Sequence, residues 1–258
     1  MSGPTPGAPE RRAVQAMFDR IAPRYDLLNR LLSAGVDRRW RRACVDELGF
    51  QVPSRVLDVC TGTGDLLMEF LRRDPEHRGV GVDLSREMMR RGAAKLAQAG
   101  YAKRCRLGAA DAERLPFADA SFDGVMVAFG IRNVGDPERA LREIRRVLRV
   151  GARVVVLEFA MPTGALGALY RFYFSRVLPR VGGLVSGNSD AYRYLPDSVE
   201  RFAAPPTFVA LMERAGLTRL RWRPLTGGIA YIYRGERGPD VESRGLRAEP
   251  RFVPTDAE

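Results

Sequence analysis

A short apolar run that ends in a glycine-rich turn is the feature that most limits the fold of this chain. Residues 56–60 read Val-Leu-Asp-Val-Cys, which predicts a buried strand; Thr-Gly-Thr-Gly-Asp follows at 61–65, and a helical stretch begins at once. Glycines at the end of such a strand let the backbone turn tightly and approach a ligand closely. This order predicts the first unit of an α/β sheet with a ligand site at its edge.

The segments after this unit continue the alternation. Apolar patterns predict strands at 55–60, 79–83, 105–109, 124–129 and 153–158, helices at 65–73, 86–99 and 138–149, and a last pair of strands at 217–222 and 228–234. Asp136 is the expected N-cap of the helix at 138–149, and Pro137 fits its first position. Such alternation is typical of an α/β fold with a mostly parallel, Rossmann-like sheet, helices on both faces, and ligands at the carboxyl ends of the strands.

One domain accounts for residues 10–235. Its first part, 10–48, has apolar residues at helical intervals and is divided by Pro23, which predicts a helical cap of at least two helices. Residues 161–207 interrupt the alternation with a segment rich in aromatic residues, Gly and Pro, which predicts an insertion on the substrate side. Residues 1–9 and 236–258 are predicted to be disordered tails.

Composition argues against several classes of function. The net charge of +11 comes almost entirely from arginines scattered over the predicted helices, so it does not indicate a nucleic-acid partner. No apolar stretch approaches the roughly 18 residues that a membrane span needs. Three separated cysteines and the lack of an N-terminal signal sequence predict a reduced, cytoplasmic protein.

The single histidine limits the chemistry further. His77 lies in a polar turn and is predicted to be solvated. One histidine without a cysteine cluster predicts no metal site and removes the usual general base. Cys60, at the end of the first predicted strand, is interpreted as a small core residue and not as a nucleophile.

A carboxylate at the end of the second predicted strand indicates the ligand. Asp83 lies nineteen positions after Gly64, where it can accept hydrogen bonds from both hydroxyls of a ribose. A dinucleotide fingerprint has a third glycine where this chain has Leu67, and Asp65 places a negative charge where a pyrophosphate would lie. S-adenosylmethionine, which has cationic groups and no phosphate, therefore suits the site better than NAD.

Two more polar segments follow predicted strands. Asp111 and Ala112 come after the third strand, where the carboxylate either binds an adenine amino group or closes an Asx turn. Arg132 and Asn133 come after the fourth strand and either face the methyl acceptor or brace their loop. The pattern alone leaves both pairs of alternatives open.

Several segments together resemble the ubiquinone/menaquinone-biosynthesis C-methyltransferases, over about residues 18–235. They are the run Phe-Asp-Arg-Ile-Ala-Pro-Arg-Tyr-Asp-Leu-Leu-Asn from Phe18, the Thr-Gly-Thr-Gly-Asp loop, Phe-Gly-Ile-Arg-Asn-Val from Phe129, the run from Asp190 to Ser198, and Leu-Thr-Gly-Gly-Ile-Ala from Leu225. The resemblance implies a class I S-adenosylmethionine-dependent methyltransferase fold.

The resemblance also implies where the cofactor is held. S-adenosylmethionine is expected at Thr63, Asp83, Asp111 and Ala112, with a further contact at Ala128, where many relatives carry Ser. With the strand and glycine loop included, the predicted cofactor-binding residues are Asp58, Gly62, Thr63, Gly64, Asp83, Asp111, Ala112 and Ala128.

The reaction that the resemblance implies is methyl transfer to a ring carbon of a reduced demethylmenaquinone. Tyr25, Arg132 and Asn133 are predicted to orient the quinol oxygen, and Arg132, which stays protonated, to stabilise a developing phenolate. The aromatic-rich segment 165–195 is predicted to line the mouth for a polyprenyl tail. A benzoquinol of ubiquinone synthesis, another small-molecule acceptor, and a cofactor-binding protein without transfer chemistry are the alternatives. A homodimer and a peripheral contact with the inner face of the membrane are left open.

Overall fold

Seven strands form one sheet in the computed structural model, which describes residues 11–26, 33, 35–50, 52–162, 164, 167 and 190–239. The strands are β1 Arg55–Val59, β2 Arg78–Asp83, β3 Cys105–Ala109, β4 Phe122–Ala128, β5 Leu148–Phe159, β6 Leu217–Leu225 and β7 Ala230–Arg237. Their order is β3-β2-β1-β4-β5-β7-β6. The first five strands pair in parallel, and β7 is antiparallel to both β5 and β6. The predicted mostly parallel sheet is confirmed.

Helices cover both faces of this sheet. The described helices are α1 Arg11–Ile21, α2 Asp37–Leu48, α3 Asp65–Leu71, α4 Arg86–Gln98, α5 Pro137–Val147, α6 Asp190–Arg201 and α7 Pro205–Arg214, with short 3-10 turns at Ala22–Arg24, Ile131–Asn133 and Thr226–Gly228. Successive strand residues point to opposite faces. Thus Leu57 packs with α5 and α7 in one core layer, and Val56 packs with α2 and α3 in the other.

Helix α5 shows how local sequence signals set an element. Asp136 Oδ1 accepts a hydrogen bond from Arg139 N at 3.0 Å, and Pro137 opens the helix, so the predicted N-cap is confirmed. Its apolar stripe is fully buried at Ala140, Leu141, Ile144 and Val147. The helix is shorter than predicted, because the chain turns into β5 at Leu148.

The only histidine is buried, and its prediction as a solvated loop residue is wrong. The His77 ring stacks on Phe70 with 4.3 Å between ring centroids and meets the edge of Phe50. Its Nδ1 accepts a hydrogen bond from Ser54 N at 3.2 Å. Burial lowers the pKa of His77, so its imidazole is held neutral at the start of β1, away from the carboxyl ends of the strands.

The C-terminal end of the predicted domain differs from the structure. Strand β7 continues to Arg237, beyond the predicted boundary at 235, because Glu236 pairs with β5 and accepts a hydrogen bond from Arg153. Pro23 divides the N-terminal region into at least two helices as predicted, because α1 ends at Ile21 and α2 begins at Asp37. Residues 1–9, 240–258 and most of the aromatic-rich segment (163, 165–166 and 168–189) lie outside the described residues. Among those that are described, no helix is long and apolar enough to cross a membrane.

Candidate active site

A cleft of about 800 Å³, partly open to solvent, lies at the carboxyl ends of β1, β2 and β4. Helix α1 and the turn after it cover it with Val14, Phe18 and Tyr25. Two carboxylates hold this cover in place. Ser85 Oγ donates to Asp19 at 2.5 Å, and Thr63 Oγ1 donates to Asp26 at 2.6 Å. The cleft therefore lies between the sheet edge and the N-terminal helix.

Asp83 lies in the cleft with both carboxylate oxygens oriented by backbone amides. Gly62 N donates to Oδ2 at 2.8 Å and Ser85 N donates to Oδ1 at 2.9 Å. Gly62 donates from a left-handed backbone conformation at φ 55°, which suits glycine. Burial raises the pKa of Asp83, while these amides act in the opposite direction. The carboxylate is thus fixed with acceptor capacity remaining, as two vicinal hydroxyls would require.

The loop after β3 supplies the next wall of the cleft. Asp111 Oδ1 accepts a hydrogen bond from Glu113 N at 2.9 Å, so the Asx turn forms, and Asp111 and Ala112 also line the cleft. Glu113, which the sequence pattern does not single out, also lines the cleft, and its Oε1 accepts a hydrogen bond from Asp136 N at 3.0 Å. The residues next to Glu113 in sequence do not indicate this contact, because its partner Asp136 lies at the start of α5.

A second cavity of about 340 Å³, also partly open to solvent, lies on the other side of the glycine loop. Its lining includes Tyr25, Arg41, Asp58, Thr63 and Asp65. Thr61 Oγ1 donates to the buried Asp58 carboxylate at 2.6 Å, and burial raises the pKa of Asp58 to about 7. Asp58 therefore braces the turn that follows β1 from within.

An ion-pair network surrounds this second cavity. Lys95 Nζ lies 2.7 Å from Asp26 and 2.6 Å from Asp65, and Arg41 lies 3.5 Å from Asp65. Asp65 shares these two cations with Asp26 and Asp37, so the carboxylates outnumber the cations and the network stays negative beside the glycine loop, which disfavours a pyrophosphate there as predicted. The hydroxyl of Thr63 is engaged by Asp26 and Lys95. Arg41 and Lys95 were not predicted to belong to the site, because they are distant from the glycine loop in sequence and their spacing from it does not indicate a contact.

The loop after β4 borders both cavities. Ala128 lines each of them, and Phe129 adopts a left-handed conformation at φ 58°. A Cβ on Gly130 would lie 2.3 Å from Cys60 Cβ, so the close approach of the two strand ends requires glycine there. Burial raises the pKa of Cys60 well above its ordinary value, which favours the protonated thiol and agrees with the prediction that it is no nucleophile.

The structure separates the two neighbouring residues Arg132 and Asn133. Asn133 lines the cleft, and its Oδ1 accepts a hydrogen bond from Tyr194 at 2.9 Å. The Arg132 side chain is only 6% exposed and pairs with the fully buried Glu158 at 2.6 Å. It also donates to Phe129 O and to Ser198 Oγ.

Arg132 therefore lies outside the lining of the cleft, although its predicted contact with a quinol oxygen requires it to be there. Its guanidinium also lies over the Phe159 ring, 5.4 Å from the centroid, and it is absent from the cleft lining. Partners on three sides account for this orientation. Tyr25, the third predicted acceptor residue, lines both cavities. No cluster of potential metal ligands occurs within the described part of the chain.

The chain matches the model of the ubiE/COQ5 methyltransferase family over residues 7–237. It is 49% identical over 226 residues to the ubiquinone/menaquinone biosynthesis C-methyltransferase UbiE of Geotalea uraniireducens, covering 87% of this chain and 96% of that protein. It is 51% identical over 222 residues to the demethylmenaquinone methyltransferase of Thermus thermophilus, covering 86% of this chain and 100% of that protein.

Solved structures agree at the level of the fold. The [4+2]-cyclase SpnF superposes with a TM-score of 0.69 at 17% identity, covering 92% of this chain and 99% of that chain. A possible histamine N-methyltransferase from Thermotoga maritima gives a TM-score of 0.59 at 21% identity, covering 86% and 99%. Proteins with this fold catalyse different reactions, so the family of this chain is assigned from the sequence match and not from the fold. The chain belongs to the ubiE/COQ5 methyltransferase family.

Proposed function

We propose that this protein transfers the methyl group of S-adenosylmethionine to a ring carbon of a reduced demethylmenaquinone, giving menaquinol. The observation that carries the proposal is a single cleft with a fixed carboxylate, Asp83, and a polar amide, Asn133, in its lining. The relatives of Thermus thermophilus and Deinococcus radiodurans named demethylmenaquinone methyltransferase, 51% and 49% identical, support this acceptor.

The residues present fit the cofactor. Asp83 accepts the ribose hydroxyls, Asp111 and Ala112 meet the adenine, and Gly62 and Gly64 let the backbone pass close to it. The second cavity offers Arg41, Asp58, Thr63 and Asp65 to the charged amino-acid end. Ala128 lines both cavities and so lies between the adenosine end and the amino-acid end of the cofactor. When bound, S-adenosylmethionine supplies an electrophilic methyl group.

The acceptor needs an electron-rich carbon. The ring carbon of the quinol provides the electron pair of the new C–C bond, the S–C bond breaks with its pair left on sulfur, and the ring C–H proton departs as aromaticity returns. Loss of the phenolic proton raises the electron density of the ring. Asn133 and Tyr25 face the cleft and orient the quinol oxygen there.

Arg132 takes a different role from the one that its sequence position predicts. Its ion pair with Glu158 and its hydrogen bond to Phe129 O hold the turn that presents Asn133. We therefore assign Arg132 as a positioning residue. His77 takes no part, because it is buried beside Phe70 at the opposite end of β1.

A benzoquinol acceptor is the second candidate. It is favoured by relatives at 46–52% identity whose name covers both ubiquinone and menaquinone biosynthesis. The predicted contact of a polyprenyl tail with segment 165–195 stays a prediction, because most of that segment lies outside the described residues. Peripheral membrane contact and a homodimer stay predictions. Co-sedimentation with anionic vesicles at low salt tests the former, and light scattering tests the latter.

The decisive experiment follows the methyl group. Radiolabelled S-adenosylmethionine is incubated with a reduced short-chain demethylmenaquinone, with a reduced benzoquinone analogue in parallel and the oxidised naphthoquinone as control. We expect label in the reduced naphthoquinol and none in the electron-poor quinone. Label in both quinols establishes a dual enzyme. Cofactor binding without label in either quinol contradicts the proposal.

A further inference from the structure

Helix α6 reaches the loop after β4 through two side chains on one of its faces. Tyr194 Oη donates to Asn133 Oδ1 at 2.9 Å, and Ser198 Oγ accepts a hydrogen bond from Arg132 Nε at 3.2 Å. Residues four apart on a helix lie on the same side. The same face of α6 therefore holds both Arg132 and Asn133, although α6 is more than 55 residues further along the chain.

The hydrogen bond from Tyr194 uses the oxygen end of the Asn133 amide. An asparagine side chain has one carbonyl oxygen that accepts and one NH₂ group that donates. With Oδ1 directed to Tyr194, the NH₂ group is the end that is left for a ligand. Burial raises the pKa of Tyr194, and so the phenol keeps the proton that it donates.

We propose that Tyr194 is a positioning residue for the methyl acceptor, because its hydroxyl orients Asn133 so that the amide NH₂ donates to the quinol oxygen. This inference rests on the proposed function and names a residue that acts on the same site. A donor at that point stabilises the negative charge that develops on the oxygen as the phenolic proton leaves. Without Tyr194 the amide can turn its oxygen to the cleft, which repels that charge.

The test compares Tyr194→Phe, Asn133→Ala and the double variant in single-turnover methyl transfer. Tyr194→Phe removes only the hydroxyl, and we expect the rate to fall about three- to tenfold, the range of one neutral hydrogen bond. Asn133→Ala removes the donor itself and lowers the rate on the order of a hundredfold. The double variant is expected to be no slower than Asn133→Ala, and cofactor affinity stays unchanged in all three.

A matched control is Tyr101→Phe. The Tyr101 ring packs under Arg104 after α4 and is not part of the cleft lining, so its loss of a hydroxyl leaves the rate unchanged. An unchanged rate in Tyr194→Phe overturns the inference, and so do losses that multiply in the double variant, since independent residues act additively in free energy.

A second readout does not depend on the acceptor. The side-chain NH₂ signals of Asn133, assigned by their absence in Asn133→Ala, are expected to shift in Tyr194→Phe and to stay in place in Tyr101→Phe. Signals that do not move in Tyr194→Phe overturn the inference even if no quinol is methylated. A wild-type protein that methylates no quinol, with the expected shift observed, contradicts the proposed function alone.

Discussion

The cofactor side and the acceptor side of the cleft are built differently. On the cofactor side, Asp83 is fixed by backbone amides of Gly62 and Ser85, which belong to neighbouring strand ends. On the acceptor side, the turn that carries Asn133 is fixed by side chains from distant segments, Glu158 and Tyr194. The first arrangement follows from strand order alone, whereas the second depends on a buried ion pair and on the docking of α6.

The largest effect is expected from breaking that ion pair. Arg132→Ala leaves the fully buried Glu158 carboxylate without its cation, and the free energy of unfolding should fall by about 3–5 kcal/mol. Urea unfolding measures this loss. Methyl transfer should fall with it, while the remaining folded protein still binds S-adenosylmethionine.

The control for this variant is Arg142→Ala, which removes an exposed arginine paired with Glu138. A solvent-exposed pair of this kind contributes about 1 kcal/mol or less. Equal destabilisation by the two variants would show that the Arg132–Glu158 pair has no special role on the acceptor side.

The cofactor side is tested by Asp83→Asn. The amide has a single acceptor oxygen, so it cannot accept from both Gly62 and Ser85 and still bind two hydroxyls. We expect the Kd for S-adenosylmethionine to rise roughly 10- to 100-fold, as for the loss of a charged hydrogen bond. Isothermal calorimetry provides the measurement.

Asp123→Asn is the matched control, since Asp123 also accepts from a backbone amide, Arg55 N at 2.7 Å, but at the opposite end of the sheet. It should leave cofactor affinity unchanged. A similar loss in both variants would mean that the effect comes from general destabilisation and not from the ribose contact.

The two sides meet where Gly130 passes Cys60. Gly130→Ala places a Cβ 2.3 Å from Cys60 Cβ, and overpacking of this kind costs about 1–3 kcal/mol. Because the clash displaces both strand ends, cofactor affinity and transfer rate should fall together. Thermal unfolding and calorimetry measure the two effects.

Adding Cys60→Gly should restore Gly130→Ala, because it removes the opposing Cβ and because Cys60 has φ 57°, which glycine adopts readily. Gly108→Ala, with open space around its Cβ, is the neutral control. If Cys60→Gly does not restore the stability and cofactor affinity of Gly130→Ala, the clash with the Cys60 Cβ is not the cause of the loss.

The smallest effect lies outside both sides of the cleft, at His77. Burial lowers its folded-state pKa below the ordinary 6.5, so the unfolded chain binds more protons than the folded one as the pH falls below that value. Stability should therefore decrease with falling pH more steeply in the wild type than in His77→Gln. Asp58, whose pKa is raised to about 7, titrates in the same range in both proteins, and the difference isolates His77. Identical urea midpoints for the two proteins from pH 7.5 to 5.5 would contradict this assignment.

The same contrast explains what the sequence could predict. The end of a strand is marked by local residues, so the positions of Asp83, Asp111 and Asn133 at the ligand edge followed from the alternation of strands and helices. Side-chain direction was not predictable for Arg132, because Glu158 and Ser198 become its neighbours only in the folded chain.

The ion pair of Asp65 and the burial of His77 could not be predicted, for the same reason. Asp65 reads as an isolated carboxylate beside the glycine loop, yet Lys95 lies thirty residues away in sequence and 2.6 Å away in space. His77 sits among polar neighbours, yet Phe50 and Phe70 enclose its ring. Local composition describes a residue's chain neighbours, whereas burial depends on the elements that pack against it.

The most direct test of a cleft with two separable sides is to measure cofactor affinity and single-turnover methyl transfer on the Asn133→Ala variant. Asn133 lies at the acceptor side, so we predict a Kd for S-adenosylmethionine within about twofold of the wild type and a transfer rate to reduced demethylmenaquinone lower by on the order of a hundredfold. A fall in cofactor affinity as large as the fall in rate would contradict the division of the cleft into a cofactor side and an acceptor side.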